Sequence, residues 1–236
     1  MAAGAMLRGS VRILRAGVPI LLAAAGFVAA AQNPRSAVTS PNLDGVYQAI
    51  PNGTVLPGGL KNIGSPGDLA LQPAAAQQMK GMSLKDDPAK VCKPLGPFRM
   101  MARDRNKIEL IPSHGMIVML FEDLSHGHMR IIFLDRKHPE KVTPAWHGDS
   151  VGRWDGDTLV VDTVGFNDRT WLNDSGAQHS DALHLVERIR PVSGGKYLEY
   201  KVTAEDSKAL AKPYTYTRYY EKVNAEIGQD ICEDEE

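Results

Sequence analysis

The 236-residue chain has few cysteines, little excess charge and no long apolar segment. Its formal net charge is −1, so it lacks the basic surface that a nucleic acid or an anionic membrane would need. The longest apolar stretch, AGVPILLAAAGFVAA, is shorter than the roughly 20 residues of a membrane-spanning helix. These absences favour a small or neutral partner over a nucleic acid or a membrane.

Sequence motifs for the common cofactors are also absent. The chain has no phosphate-binding glycine loop, no dinucleotide-binding glycine fingerprint and no His-Glu-x-x-His zinc motif. We therefore expect no organic cofactor, while zinc remains open.

The first 31 residues have the parts of an export signal. Arg8, Arg12 and Arg15 form a basic start, the apolar stretch follows, and small residues precede a cleavage position after Ala31. The residue directly after that position is Gln32 and not a cysteine, so a lipid anchor is not expected. We predict a signal peptide over 1–31 and a periplasmic or secreted protein, with an uncleaved membrane anchor as the alternative.

The two cysteines, Cys92 and Cys232, fit one disulfide bond in an exported protein. Such a bond would close a loop of about 140 residues, which the chain-entropy account values at roughly 4–5 kcal/mol. Two unrelated thiols are the alternative.

The composition changes along the chain. Residues 32–105 are rich in proline, glycine and asparagine, and predict an irregular wrap with one strand, LDGVYQAI, and one short helix over 71–82. Residues 106–236 contain successive short segments rich in β-branched and aromatic residues, with hairpin signals at Asp155-Gly156 and at VSGGK. The pattern predicts a single, mainly β domain: an antiparallel barrel of lipocalin-like form or a closed sandwich.

Residues 180–190 fit both a helix and a strand. The Gly-Gly turn that follows favours a strand, which places Leu183, Leu185, Glu187 and Ile189 on one face. A carboxylate among apolar neighbours must be paired or have a raised pKa, so Glu187 stands out.

The first candidate site contains His184, Glu187, His179 and Asp181. Imidazoles with neighbouring carboxylates can perform general acid–base catalysis. The alternative is structural: Glu187 forms an ion pair with an arginine of a neighbouring strand, while His179 and Asp181 cap a turn.

The second candidate site is aromatic. The three tryptophans, Trp146, Trp154 and Trp171, lie within or beside a loop-rich region that also holds Asn167 and Asp168. Tryptophan faces with polar neighbours suit a ring-bearing ligand or a sugar. A purely structural Trp154, closing the end of the barrel, is the alternative.

The third candidate site would hold a metal ion, with His126, His128, His147 and Asp149 as ligands. A glycine between the first two histidines and the turn-forming residues before them favour a solvated hairpin tip instead.

The block VGRWDGDTLVVDTVGFNDRTWLNDSGAQHSDALHLVERIR resembles a large, uncharacterised family of exported bacterial proteins. The shared pattern runs from Asp44-Gly45 to Cys232-Glu233 and includes both cysteines, which supports the disulfide. The resemblance implies no reaction. This chain departs from the family pattern at two places. It has Asp149 before Ser150, where the family has a histidine, and it has Arg130-Ile131, where an Arg-Arg pair is common. The positions that match the family's motif are Trp154, Gly156, Asp157, Asp162, Gly165, Phe166, Trp171, Gly176, His179, Ser180, Leu183 and Glu187.

Three functions follow from these patterns. The first is a cofactor-independent lyase, isomerase or hydrolase that acts on an apolar or aromatic small molecule, with a metal-dependent enzyme using His126, His128 and His147 as its variant. The second is a non-catalytic periplasmic ligand-binding protein, and the third is a structural envelope protein. Region 146–188 is expected to line the mouth of the barrel in the first two.

Overall fold

The computed structural model describes residues 40–104, 106–122 and 129–228. Nine strands form a closed barrel in which each strand pairs with its neighbours in the sequence and the last pairs with the first. The strands are β1 Gly45–Ala49, β2 Lys107–Ser113, β3 Met116–Phe121, β4 Met129–Phe133, β5 Asp149–Asp155, β6 Thr158–Val164, β7 His184–Val192, β8 Tyr197–Glu205 and β9 Tyr214–Val223. The prediction of a barrel is confirmed. The segment 1–31 lies outside the described residues.

One pair of neighbouring strands is parallel. Ile132 of β4 lies opposite Ser150 of β5, whereas the other eight pairs are antiparallel. A closed ring with an odd number of strands cannot alternate in direction all the way round, so at least one pair must be parallel. The connection 134–148 meets this requirement by returning the chain to the end at which β4 began. This pair is the one departure from the antiparallel expectation.

The two ends of the barrel differ in their connections. Short turns at 114–115, 156–157 and 193–196 join hairpins at one end, and positive φ angles at Gly156 and Gly194 make the two predicted turns possible. The long connections 50–106, 165–183 and 206–213 all lie at the other end, which we call the loop end. Long connections on a rigid scaffold are where binding residues concentrate.

A short helix, α2 Pro97–Met100, packs against the inner face of β9 and was not expected from the sequence. Phe98 and Met100 of this helix are almost fully buried. Inward side chains at alternate positions of β9 donate hydrogen bonds to carbonyl groups in and just after α2. These bonds join Tyr216 Oη to Phe98 O at 2.5 Å, Arg218 Nε to Ala102 O at 3.4 Å and Tyr220 Oη to Met101 O at 2.6 Å.

The helix predicted over 71–82 and the strand predicted within 180–190 are both present. Helix α1 spans Pro73–Lys80, within the predicted 71–82, and begins at its proline. Residues 184–192 form β7, with Leu185, Glu187 and Ile189 buried on one face. No helix among the described residues is long and apolar enough to cross a membrane.

Cys92 follows a 3-10 turn, Pro88–Val91, and has a left-handed backbone with φ of 57°. Its expected partner, Cys232, lies outside the described residues, so the disulfide stays a prediction.

Candidate functional site

Glu187 belongs to a group of polar side chains inside the barrel. Five successive strands each contribute one member, and all members are at most 2% exposed. We call this group the inner polar cluster; it consists of Arg130 on β4, Ser150 on β5, Thr163 on β6, Glu187 on β7 and Tyr200 on β8.

Arg130 and Glu187 form a bidentate ion pair at the centre of this cluster. Arg130 Nη1 donates to Glu187 Oε1 at 2.8 Å, and Nη2 donates to Oε2 at 2.5 Å. Tyr200 Oη also donates to Oε1 at 2.8 Å. Arg130 makes two further bonds, to Thr163 Oγ1 at 2.7 Å and Ser150 Oγ at 3.1 Å. The arginine thus reaches across two strands to its carboxylate.

The charge states of Arg130 and Tyr200 favour a structural role for this cluster. Burial opposes the charge of Arg130, but the charge and hydrogen bonds of Glu187 outweigh it and raise the pKa of the guanidinium. Burial, followed by the nearby Glu187 charge, raises the pKa of Tyr200 well above its usual value, so its phenol stays a neutral donor. Glu187 serves here as a counter-ion, as the structural alternative expected, but its arginine comes from β4, three strands away, and not from a neighbouring strand.

His184 lies on the opposite face of β7 from Glu187. Its Nε2 lies 2.9 Å from Asp162 Oδ2, and the other oxygen of Asp162 lies 2.9 Å from His138 Nε2. His138 Nδ1 lies 2.6 Å from Asp149 Oδ2. The predicted acid–base pairing of His184 with Glu187 is therefore not formed.

This outer chain of histidines and aspartates fixes the connection 134–148 to β5 and β6. Burial opposes ionisation of Asp162, but hydrogen bonds from His184 and His138 outweigh it and lower its pKa. Burial likewise opposes ionisation of Asp149, and hydrogen bonds from Arg136 and His138 lower its pKa. The charges hold the crossover that the parallel strand pair requires.

His179 is a buried, neutral histidine of the 165–183 loop. Its Nδ1 lies 2.8 Å from the carbonyl oxygen of Ser180, which only accepts, so Nδ1 carries the proton. Nε2 then accepts from Thr170 Oγ1 at 2.7 Å. Burial lowers the pKa of His179 and outweighs the opposing carbonyl contact. Both ring nitrogens are used in holding the loop together.

Asp181 is exposed on the same loop and pairs with Lys208 Nζ at 2.6 Å. A hydrogen bond and the charge of Lys208 lower its pKa. The four predicted catalytic residues thus occupy three regions: the barrel interior, its outer wall and the 165–183 loop. They do not form one catalytic group.

A surface cleft at the loop end brings together four residues that the sequence singled out. Trp146, Asn167, Asp168 and Asp181 line this cleft of about 440 Å³. Phe166, which is 1% exposed, also lines it, together with Pro144 and Arg169. We call it the Trp146 cleft. It joins the end of the 134–148 connection to the loop that follows β6.

The other two tryptophans have structural surroundings. Trp154 is partly buried against the core from β5. Trp171 is 3% exposed, with the guanidinium of Arg99 5.7 Å from its ring centroid. Neither lines the Trp146 cleft, so the three tryptophans do not form one binding surface.

Residues 148–152, GDSVG, match the letters of the Gly-x-Ser-x-Gly nucleophile motif. Ser150 lies within β5 opposite Thr163, faces the interior and accepts a hydrogen bond from Arg130. A nucleophile elbow requires an exposed serine at a turn from a strand to a helix. The match is therefore not an elbow.

The candidate metal site is described only in part. His147 is stacked on Phe121, with ring centroids 6.5 Å apart, and Asp149 binds Arg136 and His138. His126 and His128 lie outside the described residues. Within residues 40–104, 106–122 and 129–228, no three His, Cys, Asp or Glu side chains converge in a way that could hold a metal ion. Zinc stays a prediction.

Three buried arginines were not identified as site residues from the sequence. Arg99 is balanced by Asp87, in a bidentate pair at 2.6 and 3.0 Å, and by Asp174 at 2.7 Å. Arg130 is balanced by Glu187, whereas the hydrogen bonds that Arg218 makes within the described residues all go to carbonyl oxygens. For Arg130 and Arg218, the available signal was an arginine at an inward position of an apolar strand, as in YTYTRYYEKV.

The fold and the site together define a closed, nine-stranded β-barrel with one polar cluster inside a largely apolar core and with clefts at its loop end. No family model matches the chain, and no curated protein matches it. Among solved structures, the zebrafish ileal bile acid-binding protein in complex with cholic acid shares 11% identity at a TM-score of 0.36, over 76% of this chain and 98% of that one. At this level of similarity, nothing is transferred from that protein to this chain.

Proposed function

We propose that this chain is an exported barrel that binds a small, ring-bearing molecule in the Trp146 cleft. One observation carries the proposal: the cleft places a partly exposed tryptophan beside the side chains of Asn167, Asp168 and Asp181. Export rests on the sequence of residues 1–31.

The chemistry of the cleft favours a hydroxylated ring. An indole face stacks on the apolar face of a ring, while amide and carboxylate groups bind hydroxyl groups at its edge. The volume of about 440 Å³ also lies within the roughly 300–1,000 Å³ of small-molecule sites. A sugar or a polar aromatic compound fits this lining better than a wholly apolar molecule.

The barrel interior is a poorer candidate for the site. Large side chains fill it, including the buried Tyr47, Tyr200, Tyr216 and Tyr220, and the inner polar cluster spans five strands. Ligand entry would also require α2 to leave the inner face of β9. The loop-end surface therefore replaces the lumen as the proposed site.

An acid–base enzyme is the second candidate, favoured by the two carboxylates of Asp168 and Asp181 in the same cleft. Asp181 is the one predicted catalytic residue that lines it. Under this alternative, Asp181→Asn retains ligand binding and loses turnover of the bound compound, whereas a binding protein shows no turnover to lose.

The test is a titration of the purified protein with mono- and disaccharides and with uncharged hydroxylated aromatic compounds, monitored by tryptophan fluorescence and by calorimetry. We expect at least one compound to bind, and Trp146→Ala and Asn167→Ala to weaken its binding at least tenfold. Arg188→Gln is the matched control, because Arg188 lies on the outer wall and pairs with Asp155 near the short turns. A compound that binds Trp146→Ala as tightly as the parent protein contradicts the site.

A further inference from the structure

A second cleft at the loop end, of about 420 Å³, is lined by three arginines. It lies where α2, the loop 165–183 and β9 meet the segment around Ser65. We call it the arginine cleft and define it by Arg99, Arg103, Arg218, Asp104, Asp174 and Ser175, which all line it.

Arg218 differs from the other buried arginines in having no carboxylate partner. It is 2% exposed, yet no Asp or Glu oxygen among the described residues lies within ion-pair distance of it. Its contacts are Nη1 to Gly64 O at 2.8 Å and to Thr217 O at 3.2 Å, and Nε to Ala102 O at 3.4 Å. Its guanidinium also lies 5.0 Å from the ring centroid of Tyr216.

These contacts leave part of the guanidinium unused. Of the five N–H groups of arginine, the two on Nη2 donate to no atom of the described residues. An arginine side chain stays protonated in proteins, so this charge is permanent. Carbonyl groups satisfy hydrogen bonds without supplying a negative charge, and a buried unpaired charge is unfavourable.

We propose that the arginine cleft binds a carboxylate-bearing small molecule, with Arg218 Nη2 as its principal donor. A guanidinium pairs with a carboxylate through parallel hydrogen bonds, which supplies the missing counter-charge. The Ser175 side chain is a further polar group in the lining.

The carboxylates in the lining disfavour a ligand with more than one negative charge. Arg99 is already neutralised by Asp87 and Asp174, and the Asp174 side chain is 72% exposed in the cleft. Asp104 adds a second carboxylate to the lining and accepts from Asn52 Nδ2 at 3.3 Å. Two nearby carboxylates repel a doubly charged phosphate more strongly than a carboxylate.

The experiment is calorimetric titration of the full chain in a chloride-free buffer with benzoate, benzyl alcohol and inorganic phosphate. We expect benzoate to bind, benzyl alcohol not to bind, and phosphate to bind more weakly than benzoate. Equal binding of benzyl alcohol, or no binding of benzoate, overturns the proposal. Tighter binding of phosphate overturns the assignment to carboxylates.

Variants locate the site. Arg218→Met should abolish benzoate binding, and Arg188→Gln should leave it unchanged. Because loss of Arg218 could prevent folding, Asp104→Asn supplies the independent test: it removes a like charge and should tighten benzoate binding roughly two- to fivefold. Unchanged or weaker binding by Asp104→Asn overturns the proposal. Trp146→Ala should not alter benzoate binding here, which separates this site from the Trp146 cleft.

Discussion

Replacing Glu187 by glutamine tests whether the inner polar cluster is structural or catalytic. The substitution preserves the shape of the side chain but removes its charge, leaving the Arg130 guanidinium, with a side chain 1% exposed, without a counter-ion. One of the two bonds of the bidentate pair is also lost, because the new amide nitrogen faces a donor. We expect the variant to be strongly destabilised.

The magnitude follows from the burial of the pair. Breaking a buried ion pair by removing one partner costs about 3–5 kcal/mol, because it leaves an uncompensated buried charge. Domains are stable by about 5–15 kcal/mol, so the loss is a large fraction of the total. For a chain of this size it corresponds to a fall in Tm of roughly 6–20 °C.

A double variant shows whether the loss belongs to the pair. Arg130→Met combined with Glu187→Leu removes both charges together and leaves mainly the hydroxyl of Tyr200 without its acceptor, a cost of about 1–3 kcal/mol. The double variant should therefore be more stable than either single variant.

Urea unfolding, monitored by circular dichroism, measures Glu187→Gln, the double variant and its two component single variants. The reasoning is refuted if Glu187→Gln unfolds within about 1 kcal/mol of the parent protein, the usual size of a lost neutral hydrogen bond. A stable Glu187→Gln variant that had lost turnover of a cleft ligand would instead restore Glu187 as a catalytic residue.

Three further predictions concern the contact between α2 and β9, the glycine that precedes α2, and pH. Tyr216→Phe removes the bond to the Phe98 carbonyl, and urea unfolding should show a loss of about 1–3 kcal/mol, since the carbonyl stays buried. Gly96→Ala should destabilise by at least about 1–3 kcal/mol in the same assay, because φ is 77° and the new Cβ would lie 2.7 Å from Thr170 Oγ1; an unchanged midpoint contradicts the geometry. The lowered pKa of Asp162 means that its charge stabilises the fold above the unfolded pKa of about 3.9, and that this contribution is lost as the pH falls through the lower folded pKa. The Tm of Asp162→Asn should thus be lower than that of the parent protein at neutral pH, and the two Tm values should converge in acid. A difference in Tm that stays constant with pH would show that the charge is not the cause.

Local patterns predicted the strands because each carries its own signal. Period-two alternation placed Leu185, Glu187 and Ile189 on one face of β7, and the hairpin turns followed from glycines that must adopt positive φ. Helix α2 was missed because its four residues carry no period, and tertiary hydrogen bonds from β9 fix it in place.

The partners of the site residues could not be predicted, because they depend on closure of the barrel. Arg130 and Glu187 are 57 residues and three strands apart, and they meet only because the intervening strands carry small polar side chains inward. The sequence showed that Glu187 needed a partner. It could not show which arginine would supply the charge.

The closed ring also explains why polar groups near Glu187 in the sequence are far from it in space. Odd and even positions of a strand point to opposite faces, so His184, three residues away, lies on the outer wall of β7. Polar residues that are close in the sequence of one strand therefore divide between its two faces. Residues from different connections can instead meet at one end of the barrel. The Trp146 cleft satisfies this condition: its residues come from the 134–148 crossover and the 165–183 loop, and both reach the loop end because nine strands require one parallel pair.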